Sequence, residues 1–136
     1  MRLRQVFVYG TLKRGQCRER CWPFRPESVE PAWIEGSLFD LGPYPALREG
    51  TDRVLGEVWT IAEEHLARTL SELDEVEGYA GRKDDLYQRV EVEYFTLDGD
   101  TGNAYTYRYN GDLTARGGIP IDRGADGFVT WPKSLN

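Results

Sequence analysis

Two segments of this 136-residue chain place reactive residue types at spacings that chemistry can use. The first runs from Ala62 to Gly78. Leu66, Leu70 and Leu73 recur four and three apart, which predicts a helix over about Ala62 to Glu77 with one apolar stripe. With Leu66 set at zero and about 100° per residue, Leu70 falls near 40° and Leu73 near −20°. The helix carries six acidic residues: Glu63, Glu64, Glu72, Asp74, Glu75 and Glu77. Glu64 and Glu75 project near 160° and 180°, on the solvent side, and Glu72 is also well off the stripe. Glu77 projects near 20°, among the leucines. A carboxylate beside a core loses hydration, which raises its pKa toward the range that suits a general base and acid near neutral pH. The other reading is that the helix frays at Gly78 and Glu77 swings out. An acid at a helix C-terminus is mildly unfavourable, so no structural reason for Glu77 is evident.

The second segment is Val6-Phe7-Val8-Tyr9-Gly10-Thr11-Leu12-Lys13-Arg14-Gly15. Val6 to Tyr9 suit a buried strand. Gly10, lacking a Cβ, lets the backbone bend sharply or approach a ligand closely. A turn at the end of a strand leaves backbone N–H groups without ladder partners, and Thr11 adds a hydroxyl. Tyr9, Gly10, Thr11 and Leu12 are therefore either a donor nest for a carboxylate or phosphate, or a plain glycine turn. Gly10 and Gly15 fit half of a P-loop, but Gln16-Cys17 stands where Lys-Ser/Thr is required, so this is not a nucleotide loop. Lys13, Arg14, Arg18 and Arg20 follow; they suit an anionic ligand as readily as a solvated loop. A substrate with a carboxylate and a removable proton would engage both segments.

These segments need elements to position them. Strands are expected near Arg4–Tyr9, Ala32–Leu41, Ala46–Arg48, Val54–Ile61, Tyr87–Thr96 and Asn103–Tyr109, with turns at Gly42-Pro43 and Gly50-Thr51-Asp52. Asp98 to Gly102 reads as a hairpin loop and lacks the frame of a calcium loop. Many strands around few helices in this length predict an α+β fold built on a small, strongly curved sheet or barrel. The expectation is a single domain, 1–136, in which residues 110–136 form a tail packed along the surface.

Composition removes several function classes. A net charge of −6 argues against binding nucleic acid or an anionic membrane. No apolar run approaches the roughly 20 residues that span a bilayer, and the start lacks a signal-peptide stretch. Cys17 and Cys21, four apart and able to share a helical face if one forms there, read as free thiols of a cytoplasmic protein. With His65 the sole histidine, no zinc set is expected.

The sequence resembles the gamma-glutamylcyclotransferase-like family, particularly its gamma-glutamylamine cyclotransferase-type members. The resemblance rests on Val6 to Gly15, Tyr44-Pro45-Ala46, Gly56-Glu57-Val58-Trp59, Leu73-Asp74-Glu75-Val76-Glu77-Gly78-Tyr79, Tyr87-Gln88-Arg89-Val90-Glu91-Val92 and Ala104-Tyr105-Thr106-Tyr107, in the family's order. It implies a small mixed β-barrel with flanking helices. It implies that Tyr9-Gly10-Thr11-Leu12 binds the α-amino-acid end of a gamma-glutamyl group, and that Glu77 is the catalytic glutamate. The implied reaction is intramolecular: Glu77 takes a proton from the substrate α-ammonium, the amine attacks the γ-carbonyl, and 5-oxoproline is released. The implied partner is a small gamma-glutamyl molecule, with no metal or cofactor.

Tyr87, Arg89, Tyr105 and Tyr107 are further candidates for the pocket wall, each with an ordinary strand role as the alternative. The connection over residues 80–86 is longer than the family's usual one, and residues 110–136 match none of its blocks. The leaving amine and the oligomeric state are left open by the residues. Two other functions remain open beside the enzyme: a non-catalytic small-metabolite binding module using the same pocket, and an interaction role for the tail around Trp131-Pro132.

Overall fold

The computed structural model describes residues 3–132; Met1, Arg2 and residues 133–136, parts of the expected domain and of its tail, lie outside the described residues. The elements are β1 (Gln5–Val8), a 3-10 turn (Glu19–Cys21), β2 (Ser28–Asp40), β3 (Pro45–Thr60), α1 (Glu63–Glu77), β4 (Tyr87–Thr96), β5 (Thr101–Tyr109), β6 (Ile119–Pro120) and β7 (Phe128–Val129). The sheet order is β6-β2-β4-β5-β1-β3-β7, and β2 also pairs with β3, so β2, β4, β5, β1 and β3 close into a ring. This is the expected small mixed barrel. Among the described residues its flanking helices reduce to one α-helix and the 3-10 turn.

A closed ring with an odd number of strands cannot alternate direction throughout, so one neighbouring pair must be parallel. That pair is β1–β5, where the ladder reduces to Val6 opposite Tyr105. Side chains stitch the seam: Thr106 Oγ1 donates to the Phe7 carbonyl at 2.8 Å, and the Tyr9 hydroxyl donates to the Tyr107 carbonyl. Residues from all five strands meet inside the ring, among them Phe7, Ile34, Val54, Val58, Val92 and Ala104. The opposite face of β1, Val6 and Val8, packs with Leu66, Leu70 and Leu73 of α1. β1 is thus covered on both sides, which explains its unbroken apolar run.

Three expectations need correction. The segments Ala46–Arg48 and Val54–Ile61 are one strand, because Gly50-Thr51-Asp52 is not a chain reversal. Between Gly36 opposite Asp52 and Ser37 opposite Arg48 the register jumps, so Glu49, Gly50 and Thr51 bulge outward. Such a bulge bends a long hairpin enough to close a small ring. Residues 110–132 do not lie only on the surface. β6 pairs with β2 and β7 with β3, and Val129 and Trp131 are buried, Trp131 at 7% exposure. The Trp131 indole donates to Asp40 Oδ1 at 3.2 Å, so this ring belongs to the core. Cys17 and Cys21 are both free, but Cys21 ends the 3-10 turn and Cys17 precedes it, so they share no α-helical face. Among the described residues no helix is long and apolar enough to cross a membrane.

Candidate active site

β1 delivers the turn that begins at Tyr9. The turn folds over its own carbonyls: Lys13 N–H donates to Gly10 O at 3.1 Å, Arg18 N–H to Thr11 O at 2.8 Å, and the Trp22 indole to Leu12 O at 2.9 Å. Trp22 is held by stacking flat on Trp59, 4.1 Å between ring centres. The carbonyls of Gly10, Thr11 and Leu12 are therefore all engaged. Among the described residues, their three N–H groups donate to no protein acceptor. All three residues are buried. Unpaired buried amides are rare because each forfeits its hydration, so a run of three calls for a ligand or solvent acceptor.

Gly10 has a different purpose from the one its sequence context suggests. Its φ is not positive; the turn's left-handed residue is Gly15. A Cβ on Gly10 would lie 2.6 Å from Pro45 Cγ and 2.8 Å from Cδ. The glycine is there so that the turn can press against Pro45, which the Tyr87 hydroxyl fixes by donating to its carbonyl at 2.8 Å. Behind the turn, Lys13 Nζ donates to the Trp131 carbonyl at 2.6 Å, tying the C-terminal segment to the loop. Burial draws the Lys13 ammonium below its ordinary pKa, opposed by nearby Glu57.

α1 delivers Glu77. The helix ends cleanly: Gly78 takes a left-handed φ of 71°, and the N–H groups of Gly78 and Tyr79 donate to Glu75 O and Asp74 O. Only glycine adopts that conformation readily, so the last turn is capped and does not fray. Glu77 is partly covered and lines a cavity of about 290 Å³ together with Tyr9, Gly10, Thr11 and Leu12. Every firm site residue read from the sequence reaches this one cavity. Of the further candidates, Tyr87 and Tyr107 line it. Arg89 and Tyr105 do not; the Arg89 guanidinium lies over the rings of Tyr79 and Tyr105, centroids 5.5 and 5.4 Å away.

The electrostatics follow from this enclosure. Burial pushes the Glu77 carboxyl up to about 7, with the Arg18 guanidinium pulling the other way. The Tyr9 phenol stands well above its ordinary value, first through burial and then through the charge of Glu77. Tyr87 and Tyr107 are also raised, chiefly by burial. Three tyrosines thus remain neutral walls around one titrating carboxyl. Arg18, among the described residues the one cation on the wall, was visible only as part of a basic run, and Tyr44 and Pro45 only as part of a motif. Glu75, placed on the solvent side by helical periodicity, is exposed and also borders the cavity. Among the described residues no group of three or more His, Cys, Asp or Glu side chains is placed to hold a metal.

Comparison with known proteins agrees with this architecture. Residues 6–125 match the family described as "Gamma-glutamyl cyclotransferase, AIG2-like". The chain is 36% identical over 110 residues to a gamma-L-glutamyl-butirosin B gamma-glutamyl cyclotransferase of Niallia circulans, covering 79% of this chain and 67% of the relative. It is 36% identical over 110 residues to a putative gamma-glutamylcyclotransferase of Vibrio cholerae, covering 76% of this chain and 80% of that one. The crystal structure of an AIG2-like protein from Mus musculus superposes with a TM-score of 0.68 at 21% identity, over 100% of both chains, which speaks for the fold. The matched family model spans both segments of the candidate site, and the chain belongs to the gamma-glutamyl cyclotransferase, AIG2-like family of enzymes.

Proposed function

We propose that the protein releases 5-oxoproline from a gamma-glutamyl amine, with Glu77 as general base and acid and with Tyr9-Gly10-Thr11-Leu12 holding the substrate head group. The observation that carries this reading is a carboxyl at about 7 sharing one cavity with three backbone donors that no described residue pairs. The free N–H groups of Gly10 to Leu12 suit the substrate α-carboxylate, because aligned backbone donors stabilise an anion without side-chain entropy. That leaves the α-ammonium and the γ-carbonyl to the Glu77 side.

The steps balance around one carboxylate. Glu77 takes a proton from the α-ammonium, and the neutral amine attacks the γ-carbonyl carbon of the same molecule. The new C–N bond closes a five-membered ring and puts the electron pair on the carbonyl oxygen. Glu77 then gives its proton to the departing nitrogen as the old C–N bond breaks, and takes the surplus proton of the ring nitrogen. That proton leaves with the released amine. Because nucleophile and electrophile are tethered, the protein need only fold the chain into an attack geometry and move protons. General acid–base assistance supplies about 10²–10⁴-fold of the rate. The relative named for gamma-L-glutamyl-butirosin B supports a gamma-glutamyl compound as the substrate class.

The test is a panel of gamma-glutamyl alkylamines, amino acids and amino sugars, assayed for 5-oxoproline with the native protein and with Glu77→Gln. Release by the native protein and its loss in a folded Glu77→Gln variant is the expected result. Normal turnover by the variant rules out Glu77 as the base. Calorimetric binding without turnover across the panel would instead favour a metabolite-binding module.

A further inference from the structure

The leucine stripe of α1 ends at Leu73, one turn short of Glu77. Apolar packing is non-directional and by itself lets the last turn slide or roll. Among the described residues, Asp74 is the only residue of α1 whose side chain hydrogen-bonds to a strand. Arg89 Nη1 of β4 donates to its Oδ2 at 2.5 Å, and the Tyr107 hydroxyl of β5 donates to its Oδ1 at 2.7 Å. Arg89 and Tyr107 stand directly opposite each other in the β4–β5 ladder, so one carboxylate grips a cross-strand pair. The side chains of Asp74 and Arg89 are only 18% and 27% exposed, which limits screening. The Arg89 guanidinium also lies over the ring of Tyr79, just past the helix cap, and over that of Tyr105. Asp74 and Tyr79 thus clasp the same arginine from both sides of Glu77 in the chain. The other partner, Tyr107, is itself a wall of the cavity.

We propose that Asp74 and Arg89 are positioning residues for Glu77: their ion pair locks the last turn of α1 onto Tyr107 and so holds the Glu77 carboxylate at the substrate amine. This rests on the reading of Glu77 as the base. A displacement of about 1 Å in a catalytic group costs on the order of 10²-fold in rate, so the lock acts on kcat more than on substrate affinity. It also has an electrostatic signature, because the two halves of the pair carry opposite charges. The titratable and charged groups that share the cavity wall with Glu77 are Arg18 from the turn after β1, Tyr9 at the end of β1, Tyr44 from the turn between β2 and β3, Tyr87 of β4, Tyr107 of β5 and, on its own helix, Glu75; Asp74 precedes Glu77 by three residues on that helix. Tyr107 lies within electrostatic reach of both Asp74 and Glu77. Losing Asp74 leaves an extra positive charge near Glu77 and favours its carboxylate; losing Arg89 leaves an extra negative charge and disfavours it.

The experiment measures kcat, KM and the pH profile of kcat/KM for Asp74→Asn, Arg89→Met and Arg89→Lys. The substrate is the gamma-glutamyl alkylamine turned over fastest in the panel above, with Glu77→Gln as reference and circular dichroism reporting the fold. Asp74→Asn and Arg89→Met are expected to lower kcat about 10- to 100-fold with KM changed less than about threefold. The acid limb should move by about half a pH unit, downward for Asp74→Asn and upward for Arg89→Met. Arg89→Lys, which keeps the charge, should keep the native midpoint. If Asp74→Asn does not fold, the contrast between Arg89→Met and Arg89→Lys decides on the same criterion. Native kcat in the variants, a loss confined to KM, or limbs that move together would overturn the proposal. An inactive Glu77→Gln beside fully active Asp74 and Arg89 variants sinks this inference alone, whereas an active Glu77→Gln sinks the base assignment beneath it.

Discussion

Glu77→Gln should abolish turnover and at the same time make the protein more stable at alkaline pH. The Glu77 carboxyl sits at about 7 against an ordinary 4.5, because burial disfavours its charged form. An acid whose pKa is raised on folding is bound to its proton more tightly in the folded state. Its contribution is most favourable below about 4.5, is lost as pH rises to about 7, and stays lost above that. At about 1.4 kcal/mol per tenfold change in proton affinity, holding the group ionised at pH 8 costs the fold up to about 3 kcal/mol. Solvent at the cavity mouth relieves part of this, so roughly 1–3 kcal/mol is expected in practice. Glutamine has nearly the same shape and no charge to desolvate. Thermal unfolding of the two proteins at pH 8 should therefore show the variant melting roughly 3–10 °C higher. The gap should close as the pH falls from 7 toward 4, where both side chains are neutral. Comparing the two proteins at each pH cancels the titration of every other acid. An equal or lower Tm for Glu77→Gln at pH 8 would refute the reasoning, since the native carboxylate would then be in a comfortable environment and poorly suited to hold a proton near neutrality.

Three further outcomes follow from the same geometry. The native kcat/KM should rise about tenfold between pH 6 and pH 8, as the ionised fraction of Glu77 climbs from about a tenth to about nine-tenths; a flat profile over that range counts against Glu77 as base. Gly10→Ala forces a Cβ to within 2.6 Å of Pro45, so urea denaturation should show a loss of about 1–3 kcal/mol, with KM raised because the loop or Pro45 must shift into the cavity. Trp22→Phe keeps the stack on Trp59 but removes the donor to Leu12 O, and should cost about 0.5–1.5 kcal/mol of stability while raising KM more than it lowers kcat; an unchanged KM would mean that the Leu12 amide needs no such support.

The helix was legible because its information is local. Three leucines at helical spacing and one glycine fixed its face and its end, and simple periodicity put Glu77 inward. Glu75 shows the limit of that geometry: periodicity places it on the solvent side, correctly, yet it also borders the cavity. Gly50-Thr51-Asp52 misled because the residues that reverse a chain also serve a bulge, and only pairing across to Gly36 and Ser37 distinguishes the two. The tail was illegible for a related reason. β6 and β7 are each two residues long, too short for any periodicity, and Val129 is buried only because β3 lies beside it.

By itself the sequence determined the covered strand β1, the apolar stripe and cap of α1, the inward carboxylate at its end, and the family motifs that join these parts. Ring closure set which of those parts meet. Closing the ring brought Pro45 against Gly10, Trp22 under Leu12, and Arg89 with Tyr107 onto Asp74. Those contacts freed three amides, desolvated one carboxyl and tethered one helix turn. None is written in local spacing, because each joins side chains whose separation is set by strand register and ring closure. The inward placement of Glu77 was encoded in its position on the helix; the burial that raises its pKa and the residues around it were conferred by the barrel.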